Sequence, residues 1–257
     1  MNVIYPSPYW DYQVYRPTAP PILLDMKRGD VNGDGILDTV YLFGNKVDPT
    51  SLFADHITMG IQDGATHQLT IVHPPENAGY NPTLFLGDFN KDGILDIMVS
   101  METGGSGGYG IFYIYSFQNN DLKKLFDVQQ YNEQYRLHVN YEHGYKVSIS
   151  SPQLDILFTI DISNKGYDYL SQFYNESGQL KQPTKGEVLA LGALYPVVTN
   201  TGSTSYDLLA IQRIIGTTNA DTLGNVENLI SWDGHAFASK RLTVSIPGSK
   251  LITPYLS

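Results

Sequence analysis

An all-β fold built from repeated units is predicted by three features of the sequence. Runs rich in β-branched and aromatic residues recur between turns made of glycine, asparagine and aspartate. Two nearly identical acidic loops each lead into such a run and not into a helical pattern. A Leu-Asp or Tyr-Asp pair followed by an apolar run recurs along the chain. With roughly four strands per unit, these features predict a small β-propeller of four, or five, blades built from repeats of about 57 residues.

The two acidic loops are GDVNGDGILD, from Gly29 to Asp38, and GDFNKDGILD, from Gly87 to Asp96. Each offers alternating side-chain oxygens, a glycine for a sharp turn, a backbone carbonyl and a closing aspartate, an oxygen-rich set that suits Ca²⁺. Two calcium sites are therefore predicted, and their ligands are Asp30, Asn32, Asp34, Ile36 through its carbonyl, and Asp38, then Asp88, Asn90, Asp92, Ile94 through its carbonyl, and Asp96. The agreement at every ligand position disfavours the alternative of ordinary acidic turns.

A helical EF-hand does not fit these loops. The twelfth position, which would hold a bidentate glutamate, is Tyr41 in the first loop and Val99 in the second. The residues that follow each loop are strand formers, and the next glycines come too soon for a helix. Both loops are therefore expected to connect one strand to another.

The closing aspartate of the loops belongs to a longer repeat. Four such aspartates, 58, 59 and 52 residues apart, are Asp38, Asp96, Asp155 and Asp207. In the third and fourth units the positions of the first three ligands hold Val147, Ile149 and Ser151, and Thr199, Thr201 and Ser203. Because these side chains lack carboxylates, calcium is expected in the first two loops alone.

The string GDxNxDGxxD followed by an apolar strand resembles the bacterial FG-GAP and VCBS-type repeat, the unit of the calcium-binding β-propeller found also in integrin α-subunits. Two copies match strongly and two are degenerate. The resemblance implies that the ten residues named above bind calcium. It also implies a non-catalytic binding or structural module in a bacterial surface, exported or spore-associated setting. Integrin-like propellers have more blades than four such units supply.

Composition narrows the classes of function. The chain of 257 residues has a formal net charge of −10 and no cysteine. The negative charge argues against a nucleic-acid partner, and the lack of cysteine excludes disulfides and thiolate catalysis. No apolar stretch is long enough to span a bilayer, and no nucleophile elbow occurs. A single propeller domain is expected from residue 22 to residue 257.

Residues 1–21 form a separate segment rich in tyrosine and proline. Its aromatic residues are Tyr5, Tyr9, Trp10, Tyr12 and Tyr15. We expect this arm to pack on the propeller and close its ring, because closure removes exposed sheet edges. An adhesive tail is the alternative. The segment has neither a basic n-region nor an apolar h-region, so a secretory signal is not expected.

A second function class stays open from the sequence. Propellers place ligand sites in a central funnel, and the chain carries 19 tyrosines. A carbohydrate-binding lectin or a carbohydrate-active enzyme is therefore the alternative to a binding or structural module. Paired buried carboxylates at the axis would indicate the enzyme, whereas an aromatic platform without acids would indicate the lectin. The partner, protein or carbohydrate, is not fixed by the sequence.

Overall fold

The structure, a computed structural model, describes residues 20–248. Strands make up 53% and helices 7%, so the all-β prediction is confirmed. The strands are β1 Ile22–Gly29, β2 Asp38–Asn45, β3 Phe53–Gln62, β4 Leu69–Val72, β5 Gly79–Gly87, β6 Asp96–Glu102, β7 Gly110–Ser116, β8 Lys123–Asp127, β9 His138–Glu142, β10 Lys146–Ser151, β11 Ile156–Asp161, β12 Lys185–Val197, β13 Asp207–Ile215, β14 Thr222–Trp232 and β15 Phe237–Ser245. Two short α-helices are α1 Val128–Gln134 and α2 Tyr167–Phe173, and a 3-10 helix spans Gln118–Asn120.

The first sheet contains β1 to β8 and consists of two antiparallel meanders. We call β1–β4 the first meander and β5–β8 the second meander. They are joined by a two-residue pairing in which Phe53 and Ala54 of β3 lie opposite Tyr80 and Gly79 of β5. The hydrogen-bonded sheet is therefore continuous, although each meander has the four antiparallel strands of a propeller blade.

The second sheet contains β9 to β15 in the order β11-β10-β9-β12-β13-β14-β15. We call β12–β15 the third meander; β9 joins it by pairing with the start of β12. The sheet curls until it is nearly closed and barrel-like. As a result, Phe158 of β11 and Val244 of β15, from the two edge strands, pack into the same core.

The described strands do not divide into the four, or five, separate blades predicted from the sequence. The unit that ends at Asp155 differs from the others because it has no long loop: β10 ends at Ser151 and β11 begins at Ile156. Asp155 is exposed in this tight turn, whereas Asp38, Asp96 and Asp207 are buried. The equivalence of Asp155 with the other closing aspartates is therefore wrong, and β9–β11 extend the second sheet instead of forming a blade.

The three meanders are stacked face to face. One core joins the first and second meanders through residues such as Leu42, Ile61 and Tyr113. Another joins the second and third meanders, with Ile114 and Leu208 at its centre. The second meander is thus covered on both faces, and every residue of β7 is buried. The sequence of β7 accordingly is a continuous apolar run without alternation.

The described residues include two short α-helices, and neither is long. Helix α1, which the sequence reading missed, is capped by Asp127, whose side chain accepts the backbone N–H groups of Gln129 and Gln130. No helix among residues 20–248 is long and apolar enough to cross a membrane. The predicted closure by the arm concerns residues 1–21, of which residues 1–19 lie outside the described residues.

Candidate functional site

Both acidic loops connect the first strand of a meander to the second. The first loop lies between β1 and β2, and the second between β5 and β6. In each case the first residue of the loop pairs with the closing aspartate, Gly29 with Asp38 and Gly87 with Asp96. The predicted connection from strand to strand is therefore what the structure shows.

Asp38 stabilises the first loop through hydrogen bonds to its buried side chain. Its side chain is fully buried. Oδ2 accepts the N–H groups of Val31, at 2.9 Å, and Asn32, at 3.3 Å. Oδ1 accepts the N–H of Gly64 at 2.9 Å. Three backbone donors that burial removes from water are thus paired by one carboxylate.

Asp96 has the same role in the second loop. Its Oδ2 accepts the N–H groups of Phe89, at 2.9 Å, and Asn90, at 3.1 Å. Burial raises the pKa of Asp96 to about 7, and the nearby charges of Asp92 and Asp88 add to the effect. The two N–H donors favour the charged form but do not outweigh burial. Burial is therefore the main reason that the charged form of Asp96 is disfavoured, and the neighbouring carboxylates add to it.

The outer ligand positions also bind the backbone of their own loop. In the first loop, Asp30 accepts the N–H groups of Gly33 and Gly35 at 2.7 and 2.8 Å. Asn32 accepts from Asp34 at 3.0 Å, and Asp34 from Ile36 at 2.8 Å. The second loop repeats each of these hydrogen bonds at the corresponding positions. The two loops therefore have one conformation.

The ligand atoms of these residues and their order along each loop fit a calcium ion, but their carboxylates do not converge on one point. Within residues 20–248, no group of three or more His, Asp or Glu side chains is arranged to hold a metal ion. The donors are hard oxygens, however, and a carboxylate oxygen that accepts one N–H keeps a lone pair for a cation.

The third meander has a lysine beside its closing aspartate. Asp207 pairs with Val197 at the start of β13. The Nζ atom of Lys91, from the second acidic loop, lies 2.9 Å from Asp207 Oδ1 and donates to Ser231 Oγ at 2.6 Å. Thr199 donates to Asp207 Oδ2. Burial alone would raise the pKa of Asp207, but these donors and the lysine charge hold it below its usual range.

The backbone of Lys91 indicates that this contact is made at a conformational cost. Its φ is +65°, in the left-handed region that favours glycine. The equivalent residue of the first loop is Gly33, with φ +84°. A lysine here is strained by roughly 1 kcal/mol relative to glycine. Its ion pair with Asp207 is the compensating interaction that the structure shows.

The loops also join neighbouring meanders in a repeated way. The carbonyl of Asp30 accepts the N–H of Leu95 at 3.4 Å, and the carbonyl of Asp88 accepts the N–H of Tyr206 at 2.8 Å. Leu95 and Tyr206 both immediately precede a closing aspartate. The first loop is thus attached to the second meander, and the second loop is attached to the third. Through Asp88 and Lys91, the second loop connects the two sheets.

Sequence reasoning missed one polar position that recurs beside the closing aspartates. The third strand of each meander has a buried polar residue at or next to its end. These residues are Asp63 after β3, Ser116 in β7 and Ser231 in β14. Asp63 Oδ2 accepts the side-chain amides of Asn32, at 3.4 Å, and Asn120, at 3.2 Å. Hydrogen bonds to its carboxylate lower the pKa of Asp63, and the bond from the Thr66 N–H has the largest effect. The sequence signal for this position is a polar residue at the end of the apolar third strand of each meander.

A cavity of about 480 Å³ is lined by helix α2 and the loops beside it, away from the acidic loops. Its lining is Tyr145, Tyr167, Leu170, Ser171, Tyr174, Asn175, Glu176 and Lys181. The rings of Tyr145 and Tyr174 meet edge to face at 4.9 Å, and Tyr167 is 79% exposed at the rim. Glu176 is the single carboxylate in this lining. The cavity thus lacks the paired acids of a glycoside hydrolase.

Comparisons with known proteins match the two sheets to different families. An FG-GAP-like repeat matches residues 30–99, which confirms the FG-GAP part of the predicted resemblance across the two acidic loops. A YybI C-terminal domain matches residues 135–245, which span the second sheet. The Bacillus subtilis (strain 168) protein described as "Uncharacterized protein YybI" is 41% identical over 263 residues, covering 98% of this chain and all of the relative. No solved structure matches the chain.

Proposed function

The chain belongs to the family of the Bacillus subtilis protein YybI, and we propose that it is a non-catalytic binding or structural module whose two FG-GAP-like loops each bind one Ca²⁺ ion. The repeat over residues 30–99 fits a non-catalytic module. The observation that carries the calcium proposal is that both loops have the same ligand types and the same internal hydrogen bonds around a buried closing aspartate.

In the proposed sites a calcium ion supplies the positive charge that these loops lack. Asp30, Asn32, Asp34, Asp38 and the carbonyl of Ile36 would hold the ion in the first loop. The second loop has the same set 58 residues later in the sequence, which is Asp88, Asn90, Asp92, Asp96 and the carbonyl of Ile94. The raised pKa of Asp96 supports a need for positive charge there. In the third meander the corresponding charge comes from Lys91, close to Asp207. Metal binding to the folded loops would add to the stability of the fold.

The position of the second loop supports a structural role for its ion. Because this loop contacts Tyr206 and Asp207, a calcium ion in it would stabilise the junction of the two sheets. We also propose that the three stacked meanders form a propeller-like arc, which the second sheet extends. A bacterial surface, exported or spore-associated setting remains part of this proposal on the ground of the repeat resemblance.

Calcium stoichiometry tests the proposal. The Asp34→Ala and Asp92→Ala variants should each bind one ion fewer than the unmodified chain, and the double variant should bind none. Both side chains are exposed, so the fold should survive their removal. Isothermal titration with Ca²⁺ would measure the stoichiometry. Asp48→Ala, which removes an exposed turn aspartate outside the loops, is the control and should change nothing. A tight site in the double variant would mean that the ligands are assigned incorrectly.

Carbohydrate binding is the second candidate function, and the tyrosine-lined cavity is the observation that favours it. Aromatic rings beside a few polar groups, in a cavity of this size, are typical of small-ligand sites. If a glycan binds there, Tyr167→Ala should weaken its binding at least about tenfold, as loss of an exposed aromatic anchor does. Glycan-array screening followed by calorimetry would measure this. Tyr195→Ala removes a half-exposed tyrosine elsewhere and serves as the control. Equal affinity in both variants would exclude this cavity.

A further inference from the structure

The tyrosine-lined cavity contains a carboxylate that forms no hydrogen bond and no ion pair with the residues that the structure describes. This carboxylate belongs to Glu176, which is exposed. The same lining includes Lys181, and its Nζ atom donates to the backbone oxygen of Ser171 at 2.6 Å. The carboxylate is therefore available to a ligand, whereas the ammonium group of the lysine is already engaged.

Two tyrosine rings lie at an angle in the same cavity. The ring centroids of Tyr145 and Tyr174 are 4.9 Å apart, and the ring planes are inclined by 63°. Tyr174 is buried, and its hydroxyl donates to the backbone oxygen of Lys146 at 3.2 Å. It therefore contributes its ring to the cavity wall, and Tyr167 adds a third ring at the rim. Because the face of an aromatic ring carries partial negative charge, several rings beside a carboxylate favour a cation.

Tyr145 occupies a backbone position that favours glycine or asparagine. Its φ is +60°, in the left-handed region, where an aromatic residue is a clear outlier. Residues 143–145 connect β9 to β10, and a glycine would form the same turn at a lower cost. The turn alone therefore does not explain a tyrosine, whereas a role for its ring in the cavity wall does. Strained residues of this kind cluster at ligand-binding sites.

Beside this cavity, a tyrosine ring and a carboxylate already hold an ammonium group. The Nζ atom of Lys165 lies 4.7 Å from the centroid of the Tyr169 ring and 3.2 Å from Asp221 Oδ1. Tyr169 belongs to helix α2, as does the cavity residue Tyr167. The cavity combines the same two kinds of group, so its chemistry suits the same kind of cation.

We infer that the tyrosine-lined cavity binds a small molecule through an ammonium group, which lies against the rings of Tyr145 and Tyr174 and close to the carboxylate of Glu176. The formal net charge of −10 attracts such a ligand at long range. A volume of about 480 Å³ is typical of small-ligand sites. Two kinds of small compound carry an ammonium group, an amino sugar and an alkylammonium compound such as choline.

This inference rests on the proposal that the cavity is a ligand site. It deepens the carbohydrate candidate if the compound is an amino sugar, and it replaces that candidate if the compound is choline-like. It is independent of the proposed calcium sites, because none of their residues lines the cavity.

Two matched pairs of compounds test the inference on the full chain. The first pair is choline and the neutral alcohol in which a tert-butyl group replaces the trimethylammonium group. The second pair is glucosamine, at a pH where its amine is protonated, and glucose, which has a hydroxyl in place of the amine. Calorimetry should show that the charged member of at least one pair binds at least about tenfold more tightly than its neutral partner.

Variants of the cavity assign this preference to its residues. Tyr145→Asn removes the ring and suits the φ of +60°, so it should stay folded and weaken binding of the charged compound at least about fivefold. Glu176→Gln should weaken it about threefold, since water partly screens an exposed charge. Glu133→Gln is the matched control, because it removes the same charge from an exposed residue of α1 outside the cavity. It should leave the affinity unchanged, and circular dichroism would check the fold of each variant.

The inference is overturned if neither charged compound binds more tightly than its neutral partner. If the two sugars then bind equally, the carbohydrate candidate stands without the inference. If no compound binds, the cavity fails as a ligand site for both. A preference for the ammonium group that survives in both cavity variants would also overturn the inference, because the group would then bind elsewhere on the chain.

Discussion

Replacing Asp38 by asparagine should lower the free energy of unfolding by about 2–4 kcal/mol, even when calcium is chelated. The substitution conserves shape, so it creates no cavity. An amide group has one oxygen, however, and its NH₂ group would face backbone N–H donors that the carboxylate now pairs. Val31 and Asn32 on one side, or Gly64 on the other, would keep a buried donor without an acceptor. Urea denaturation in the presence of EDTA would measure the change.

Asp155→Asn is the control for this prediction, because Asp155 also follows a leucine in the sequence and also comes before an apolar run. Its side chain is exposed, and asparagine tolerates its φ of +52° as well as aspartate does. The free energy of unfolding should therefore change by no more than about 0.5 kcal/mol. Equal effects of the two substitutions would mean that burial does not distinguish these aspartates.

Lys91→Met should lower the free energy of unfolding by about 1–3 kcal/mol. This loss of stability is smaller than that expected for a fully buried ion pair, because the lysine side chain is 40% exposed and its charge is therefore partly screened by water. Loss of the ammonium group leaves the carboxylate of Asp207, whose side chain is 10% exposed, without a neighbouring cation. Urea denaturation would measure this effect, and the junction of the two sheets should be the region that loosens in hydrogen exchange.

A double-mutant cycle separates the ion pair from other effects at this position. Lys91→Met combined with Asp207→Asn should be more stable than Lys91→Met alone, because the neutral amide needs no cation and can still accept from Thr199. Lys91→Gly removes the ion pair but relieves the backbone strain, so it should be less harmful than Lys91→Met. If the double variant were the least stable of the three, the lysine would not act through Asp207.

The same pair predicts a dependence on pH. The pKa of Asp207 is lowered in the folded protein, so its contribution to stability is present above the pKa of an unfolded aspartate, near 4. The contribution is lost as the pH falls through the lower folded pKa. The difference in stability between the unmodified chain and Lys91→Met should therefore be full at neutral pH and shrink below about pH 4.

The sequence predicted the local structure of the loops because their residues determine it. Gly35 and Gly93 supply positive φ, and each aspartate or asparagine accepts an N–H a few residues ahead. The strand after each loop is likewise predicted by its β-branched residues. What the sequence could not show is that Asp155 lies in a tight turn, because a Leu-Asp pair before an apolar run has the same letters in both settings.

The sequence could not predict contacts between distant segments either. Lys91 occupies a position where its neighbours are loop ligands, and nothing local indicates that its ammonium group reaches Asp207. Asp63 and Ser231 were overlooked because single polar residues at strand ends are common. The propeller was predicted from repeat length and strand number, whereas the joining of β9 to β12 is a tertiary pairing that no repeat pattern encodes.

Calcium titration of the unmodified chain, followed by thermal melting with and without the metal, tests whether the two acidic loops bind calcium. We expect two bound Ca²⁺ ions per chain and a melting temperature that rises on calcium addition and falls on chelation, because the ions bind the folded loops alone. A chain that takes up no calcium and melts at the same temperature in calcium and in EDTA would contradict this expectation.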